Sequence, residues 1–157
     1  MTMFGAMFAP RPEIVATELV RVCRKDGTIA MANWTPTGFA GRMFELGSRY
    51  VPPPAGIPAP VLWGDEQIVR QRFGTSVSRL ETRRRLLEFD YPFEPPEVVR
   101  LFQDYFGPTT MAFAALGPAD QSAYRADLEN LFRTNNEGAK GRTLVRSEYL
   151  EVIAIRS

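Results

Sequence analysis

The residues able to do chemistry in this chain are few, and their types narrow the reactions open to it. None of the 157 residues is histidine. That removes Ser-His-Asp and Cys-His nucleophilic sites, His-ligated zinc and the usual base near neutral pH. A single cysteine, Cys23, allows no intramolecular disulfide, and its apolar neighbours point to a buried structural thiol rather than a nucleophile. Acid–base work would fall to carboxylates, tyrosines or lysines, with Cys23, Asp65, Tyr105 and Tyr149 as candidates for a hydrolytic site. Arg83-Arg84-Arg85 suggests nucleic acid at first sight. On a strand, however, the three alternate between faces, and Glu81, Glu88 and Asp90 stand near as partners, so a solvated edge strand is expected. Glu94, Glu97 and Asp104 surround one helix without DxD or ExxE spacing, and no metal site is expected from them.

Composition excludes more than it identifies. Nineteen basic and 18 acidic residues leave a net charge of +1, too little for a field that gathers nucleic acid or an anionic membrane. Apolar residues at 45% and charged residues at 24% match an ordinary globular domain. The opening MTMFGAMFAPRPE has neither the basic start nor the apolar run of a signal peptide, and no stretch is long enough to span a bilayer, so a cytoplasmic chain is expected.

The elements that must position these residues follow from periodicity. Pro10 to Arg24 reads as a helix, with Pro12 in its first turn, Glu13 at the positive end of its dipole, and Val15, Leu19 and Val22 in one stripe. Lys25-Asp26-Gly27 closes it with a turn. Thr28 to Trp34 (TIAMANW) is a strand with little polar alternation, which suits cover on both faces. Gly38 to Tyr50 is helical. The proline-dense Val51 to Gly64 reads as an ordered crossing loop, because Val61, Leu62 and Trp63 give it something to bury. Asp65 then caps a short helix carrying Val69 and Phe73. Val77 to Tyr91 is strand-like, Pro95 to Phe106 and Pro118 to Asn136 are helices, and Tyr149 to Ile155 is a buried strand. The sum is an α/β protein of one domain with about three strands and five helices. Most parallel units place a strand before the helix, and here the expected first strand is absent. An unpaired edge beside Thr28 to Trp34 would be a liability, so something should lie there.

The stretch MFGAMFAPRPEIVATELVRVCRKDGTIAMANWTPTGF resembles the second half of class I S-adenosylmethionine-dependent methyltransferases. In that family a loop after the fourth strand leads into a helix, a Pro-Gly-Gly-like turn and the fifth strand. Here Asp26 stands where the family often has Gly. VSRLETRRRLLEFDYPF looks like the sixth strand and EYLEVIAIR like the seventh, which runs antiparallel in the family. The resemblance implies a partial Rossmann-like sheet, mixed parallel and antiparallel, with residues 37–75 as a substrate-side lid. It places Met3, Phe4 and Met7 on a wall of the cofactor cleft. Phe8, Asn33, Trp34, Phe39 and Trp63 would belong to the substrate pocket, with Asn33 and Trp34 at the carboxyl end of the fifth strand, the usual ligand side of an open sheet. No GxGxG arrangement follows a strand, and no acidic residue stands in for the ribose partner, so the chain reads as lacking the cofactor-binding half. Three accounts remain open at this point. The chain is a truncated or divided methyltransferase acting on a small molecule with a partner that supplies the missing strands and S-adenosylmethionine site. Alternatively it is a non-catalytic remnant that homodimerises and binds apolar ligands, or a half-fold repurposed for another reaction.

Overall fold

TIAMANW forms β2, Thr28–Trp34, and both of its edges are occupied in the computed structural model, which describes residues 1–157. On one side lies β1, Thr2–Met3, running parallel, with Thr2 opposite Met31 and Met3 opposite Ala32. The backbone N–H of Phe4 extends this pairing by donating to the Ala32 carbonyl at 2.8 Å. On the other side β4, Thr143–Arg156, runs antiparallel, in register from Thr28 opposite Ile155 to Trp34 opposite Tyr149. Beyond β4 lies β3, Val77–Tyr91, giving four strands in the order β1-β2-β4-β3. The expected three strands are thus four, and the missing first strand is present. Two residues are too few to show a period of two, so patterning could not reveal it.

The crossover from β1 to β2 is a short 3-10 turn, Ala6–Phe8, followed by α1, Pro12–Val22. Pro12 opens α1, where its missing N–H costs nothing, and Asp26 completes the turn after it at φ 58°. Asp is among the residues that tolerate this left-handed conformation. After β2 come α2, Phe39–Tyr50, a 3-10 turn at Pro60–Gly64, and α3, Glu66–Phe73. Asp65 caps α3 as the sequence predicts, its Oδ1 accepting from the N–H groups of Gln67 and Ile68 at 2.9 and 3.0 Å. After β3 follow α4, Pro95–Tyr105, α5, Gly107–Ala115, and α6, Pro118–Thr134. α5 was not expected, since its near-uniform apolar run GPTTMAFAA carries no amphipathic stripe.

The chain divides into two compact units. The first comprises Met1–Gly41, Pro54–Leu86 and Glu148–Ser157, and the second Arg42–Pro53 and Leu87–Ser147. In the first, α1 packs on α3, and the Pro60–Gly64 turn packs on β2 and α3. Cross-strand partners share a face, so Ile29, Met31 and Asn33 of β2 join Ala154, Val152 and Leu150 of β4, and all six are buried. The opposite face is partly open, with Tyr149, Glu151, Ile153 and Ile155 half-buried. Two of the three consecutive arginines of β3 find partners across the sheet and on α3. Arg84 reaches Glu66 and Glu148 at 3.3 and 3.0 Å, and Arg85 reaches Glu151 at 3.3 Å. Glu81, Glu88 and Asp90 pair instead with Arg79, Arg146 and Arg142. Glu81 and Arg79, two residues apart, share one face of β3, whereas Glu88 and Asp90 reach arginines of β4 and the turn before it.

In the second unit α4 packs against α5 and α6. Phe102 makes an edge contact with Phe132 at 5.4 Å and with Tyr91 at 6.3 Å. Gln121 Nε2 ties off the end of α5 by donating to the carbonyls of Phe113 and Leu116.

Candidate functional site

The carboxyl ends of the parallel pair β1 and β2 carry an aromatic cluster. Phe4, just past β1, stacks on Trp34 with ring centroids 4.0 Å apart and planes 16° apart. Tyr149 meets both rings edge-on, at 5.6 Å from Phe4 and 6.4 Å from Trp34. Phe4 has φ 56°, which for a bulky residue is a strained conformation costing of order 1–3 kcal/mol. The Phe4 N–H bond to β2 and the ring stack on Trp34 hold it there. Tyr149 reaches the cluster because β4 sets it opposite Trp34. No short-range pattern signals that pairing.

Asn33 lies on the other face of the same strand. Its side chain is fully buried, at 0% exposure, and neither Nδ2 nor Oδ1 has a hydrogen-bond partner. Leaving a buried amide unpaired costs about 1–3 kcal/mol per group. Strand alternation therefore separates Asn33 from Trp34, which the sequence reading placed together.

The backbone around Trp34 is tightly enclosed. A Cβ added to Gly64 would come within 2.1 Å of the Trp34 carbonyl oxygen and 2.6 Å of the Thr35 Cα. Only glycine lets the Pro60–Gly64 turn approach β2 this closely. Thr35 Oγ1 accepts from the Gly38 N–H at 3.2 Å and donates to the Glu148 carbonyl at 3.3 Å, fixing the path into α2.

The remaining predicted site residues separate into buried and exposed groups. Met7 is buried, whereas Met3 and Phe8 are exposed, Met3 at 55%. Phe39 is buried at the start of α2. Trp63 is 1% exposed and packs edge-on against Phe73 at 6.2 Å, so it serves as a packing anchor. The Arg72 guanidinium sits 4.4 Å from the Trp63 ring centroid, a cation–π geometry. Neither Trp63 Nε1 nor Arg72 Nη1 has a hydrogen-bond acceptor, and burial pushes the Arg72 guanidinium below its ordinary value, with Glu13 opposing the shift. Sequence reasoning missed Arg72, because nothing in EQIVRQRF marks one arginine as covering a tryptophan.

The candidates for hydrolysis do not assemble into a nucleophilic site. Asp65 spends a carboxylate oxygen on the α3 cap, and Cys23 is half-buried at the end of α1 rather than sealed in the core. Tyr149 belongs to the aromatic cluster, and Tyr105 is exposed. No group of three or more His, Cys, Asp or Glu side chains is placed to hold a metal ion. No helix is long and apolar enough to cross a membrane.

Comparison with known proteins gives relatives without an assigned activity. The chain is 38% identical over 130 residues to an uncharacterized protein of Mycobacterium tuberculosis and to one of Mycobacterium bovis, covering 82% of this chain and 47% of each relative. A further uncharacterized protein of Mycobacterium tuberculosis is 40% identical over 131 residues, again 82% of this chain and 47% of the relative. The chain thus spans about half the length of the curated relatives it matches. No protein-family model matches it.

Proposed function

We propose that this chain is the substrate-side half of a Rossmann-like methyltransferase acting on a small molecule, completed by an α/β segment that supplies the S-adenosylmethionine site. The observation that carries this reading is the sheet itself. β1 and β2 run parallel with α1 between them in the chain, and the last strand enters antiparallel beside β2. That is the sequence of elements the resemblance calls for. Asp26 supports it, since its φ of 58° is the conformation glycine adopts most readily, at the position where the family often has glycine.

The residues at the strand ends do not fit S-adenosylmethionine by themselves. Gly5 is the only glycine between β1 and α1, and neither the loop after β1 nor the one after β2 carries an acidic residue to meet ribose hydroxyls. No step of methyl transfer is therefore derived from this chain. Its part is to wall and orient. The Phe4–Trp34–Tyr149 cluster presents a rigid apolar surface at the ligand side of the sheet. Such a surface excludes water and fixes a small acceptor, and alignment is the main demand of a displacement at a sulfonium.

The test is calorimetric titration with S-adenosylhomocysteine. The chain alone should show no binding. Co-purified with the unmatched half of the Mycobacterium tuberculosis relative, it should bind one ligand per complex. Failure of the two parts to associate, or association without binding, would refute the reading. The partly open sheet face and the outer edge of β1 also suit a second copy of this chain, so a homodimer in place of the complex is the outcome that favours the remnant account.

A further inference from the structure

The second unit contains a cavity of about 320 Å³ walled by α2, α5 and α6. Its shape follows from residue size. Met43 and Gly47 on α2 and Val51 just past its end recur every four residues, so Gly47 leaves a gap between two larger side chains. A Cβ at Gly47 would already press the Tyr124 hydroxyl at 3.2 Å. On α5, Ala112 and Ala115 keep the facing wall low. No charged residue lines the cavity.

The polar groups converge at one place. The buried side chains of Tyr124 and Thr109 both line the cavity, so their two hydroxyls are its polar end. Each hydroxyl carries one donor and can also accept, so the pair can meet an oxygen of an occupant. Burial holds the Tyr124 phenol above its ordinary value, and it stays neutral at physiological pH. The Tyr124 ring is fixed by Tyr50 at 5.0 Å and Phe113 at 4.9 Å. Ser48, by contrast, spends its proton on the Phe44 carbonyl within α2 at 2.9 Å.

From this geometry we propose that the cavity binds a small, uncharged, largely apolar molecule of about two fused rings, bearing one oxygen that meets the Tyr124–Thr109 hydroxyl pair. The size follows from volume, since a cavity of about 150 Å³ lined by apolar side chains holds one benzene ring, and this one is about twice that. An ionised ligand is disfavoured because no opposite charge lines the walls. Met43, buried on one wall, and Met111, exposed on another, give the site adaptable side chains and two reporters. The inference is independent of methyl transfer and of the strand-end cluster.

The experiment titrates the full chain, labelled with ¹³C at its methionine methyls, with 1-naphthol and separately with naphthalene. Saturable shifts at Met43 and Met111, with Met7 and Met31 unmoved, are expected, and naphthol should bind about 3–10-fold more tightly than naphthalene for one hydrogen bond. Tyr124→Phe should erase that preference while retaining binding, and Thr109→Val serves the same purpose if Tyr124→Phe fails to fold. Ala115→Phe, which puts a ring into the cavity from the end of α5, should abolish the shifts. The proposal is overturned if Met43 and Met111 show no saturable shift, or if all methionines move together as in nonspecific binding. It is equally overturned if the hydroxyl variants keep the naphthol preference.

Discussion

Replacing Asn33 by leucine should make this protein more stable. The side chain is 0% exposed, and both amide atoms lack hydrogen-bond partners. In water the amide is fully hydrogen-bonded, so folding forfeits those bonds at about 1–3 kcal/mol for each unpaired group. Leucine has the same number of side-chain heavy atoms in the same branching and requires no partner, and its bulkier methyls hold the gain to the low end of the range. It also sits beside Met31 on a face otherwise occupied by Ile29, Leu150, Val152 and Ala154. Taking the low end for each of two atoms, Asn33→Leu should gain about 2 kcal/mol, a Tm rise of about 4–8 °C for a chain of this length. Asn33→Asp should do the reverse, because an unpaired carboxylate in the same place costs more than an amide. Urea titrations of the three proteins, followed by fluorescence and circular dichroism together, supply the midpoints, and equal slopes would show that only stability has changed. An Asn33→Leu midpoint at or below that of the parent would refute the reasoning, since it would mean the amide is satisfied in solution. A stabilised variant whose complex with the complementary half loses S-adenosylhomocysteine binding would identify Asn33 as a residue kept for function at the expense of stability.

Three further outcomes are expected. Gly64→Ala should destabilise by about 1–3 kcal/mol or more, because the clash is with the Trp34 carbonyl and no flexible side chain can yield; a thermal melt within a degree of the parent would contradict this. Asp65→Ala should cost about 1 kcal/mol by removing the α3 cap, and amide exchange should quicken at Gln67 and Ile68, whose N–H groups the carboxylate holds. Burial raises the phenols of Tyr91 and Tyr124 above their ordinary values. The folded state therefore keeps protons that the unfolded chain releases near pH 10, and this stability is present below about pH 10 and lost as pH rises through the folded values. Urea midpoints between pH 8 and 11 should fall less steeply in a Tyr91→Phe, Tyr124→Phe double variant than in the parent; parallel curves would show that neither phenol is linked to folding.

The sequence by itself determined the α/β class, the helix opened by Pro12, the β2 strand and the Asp65 cap. Each rests on a short-range rule, namely a period, a fixed φ or a side chain reaching a nearby backbone N–H. It also showed that the edge of Thr28 to Trp34 needed a neighbour, while reading the first strand as absent. Only the tertiary structure decided the rest. Thr2–Met3 is a strand because Met31 and Ala32 offer their edge, and no property of two residues could announce that. Tyr149 joins Phe4 and Trp34 because β4 runs antiparallel to β2 in one register, and a shift of a single residue would have sent it to the other face. Trp63 became an anchor and Arg72 its cover through the folding of a proline-rich loop onto β2. Asn33 and Trp34, adjacent in the chain and grouped by the sequence, were parted by the pleat. Local chemistry fixes which elements form, whereas the side chains that meet are set by pairing between separate segments of the chain, and that information lies in the sum of the packing rather than in any one stretch.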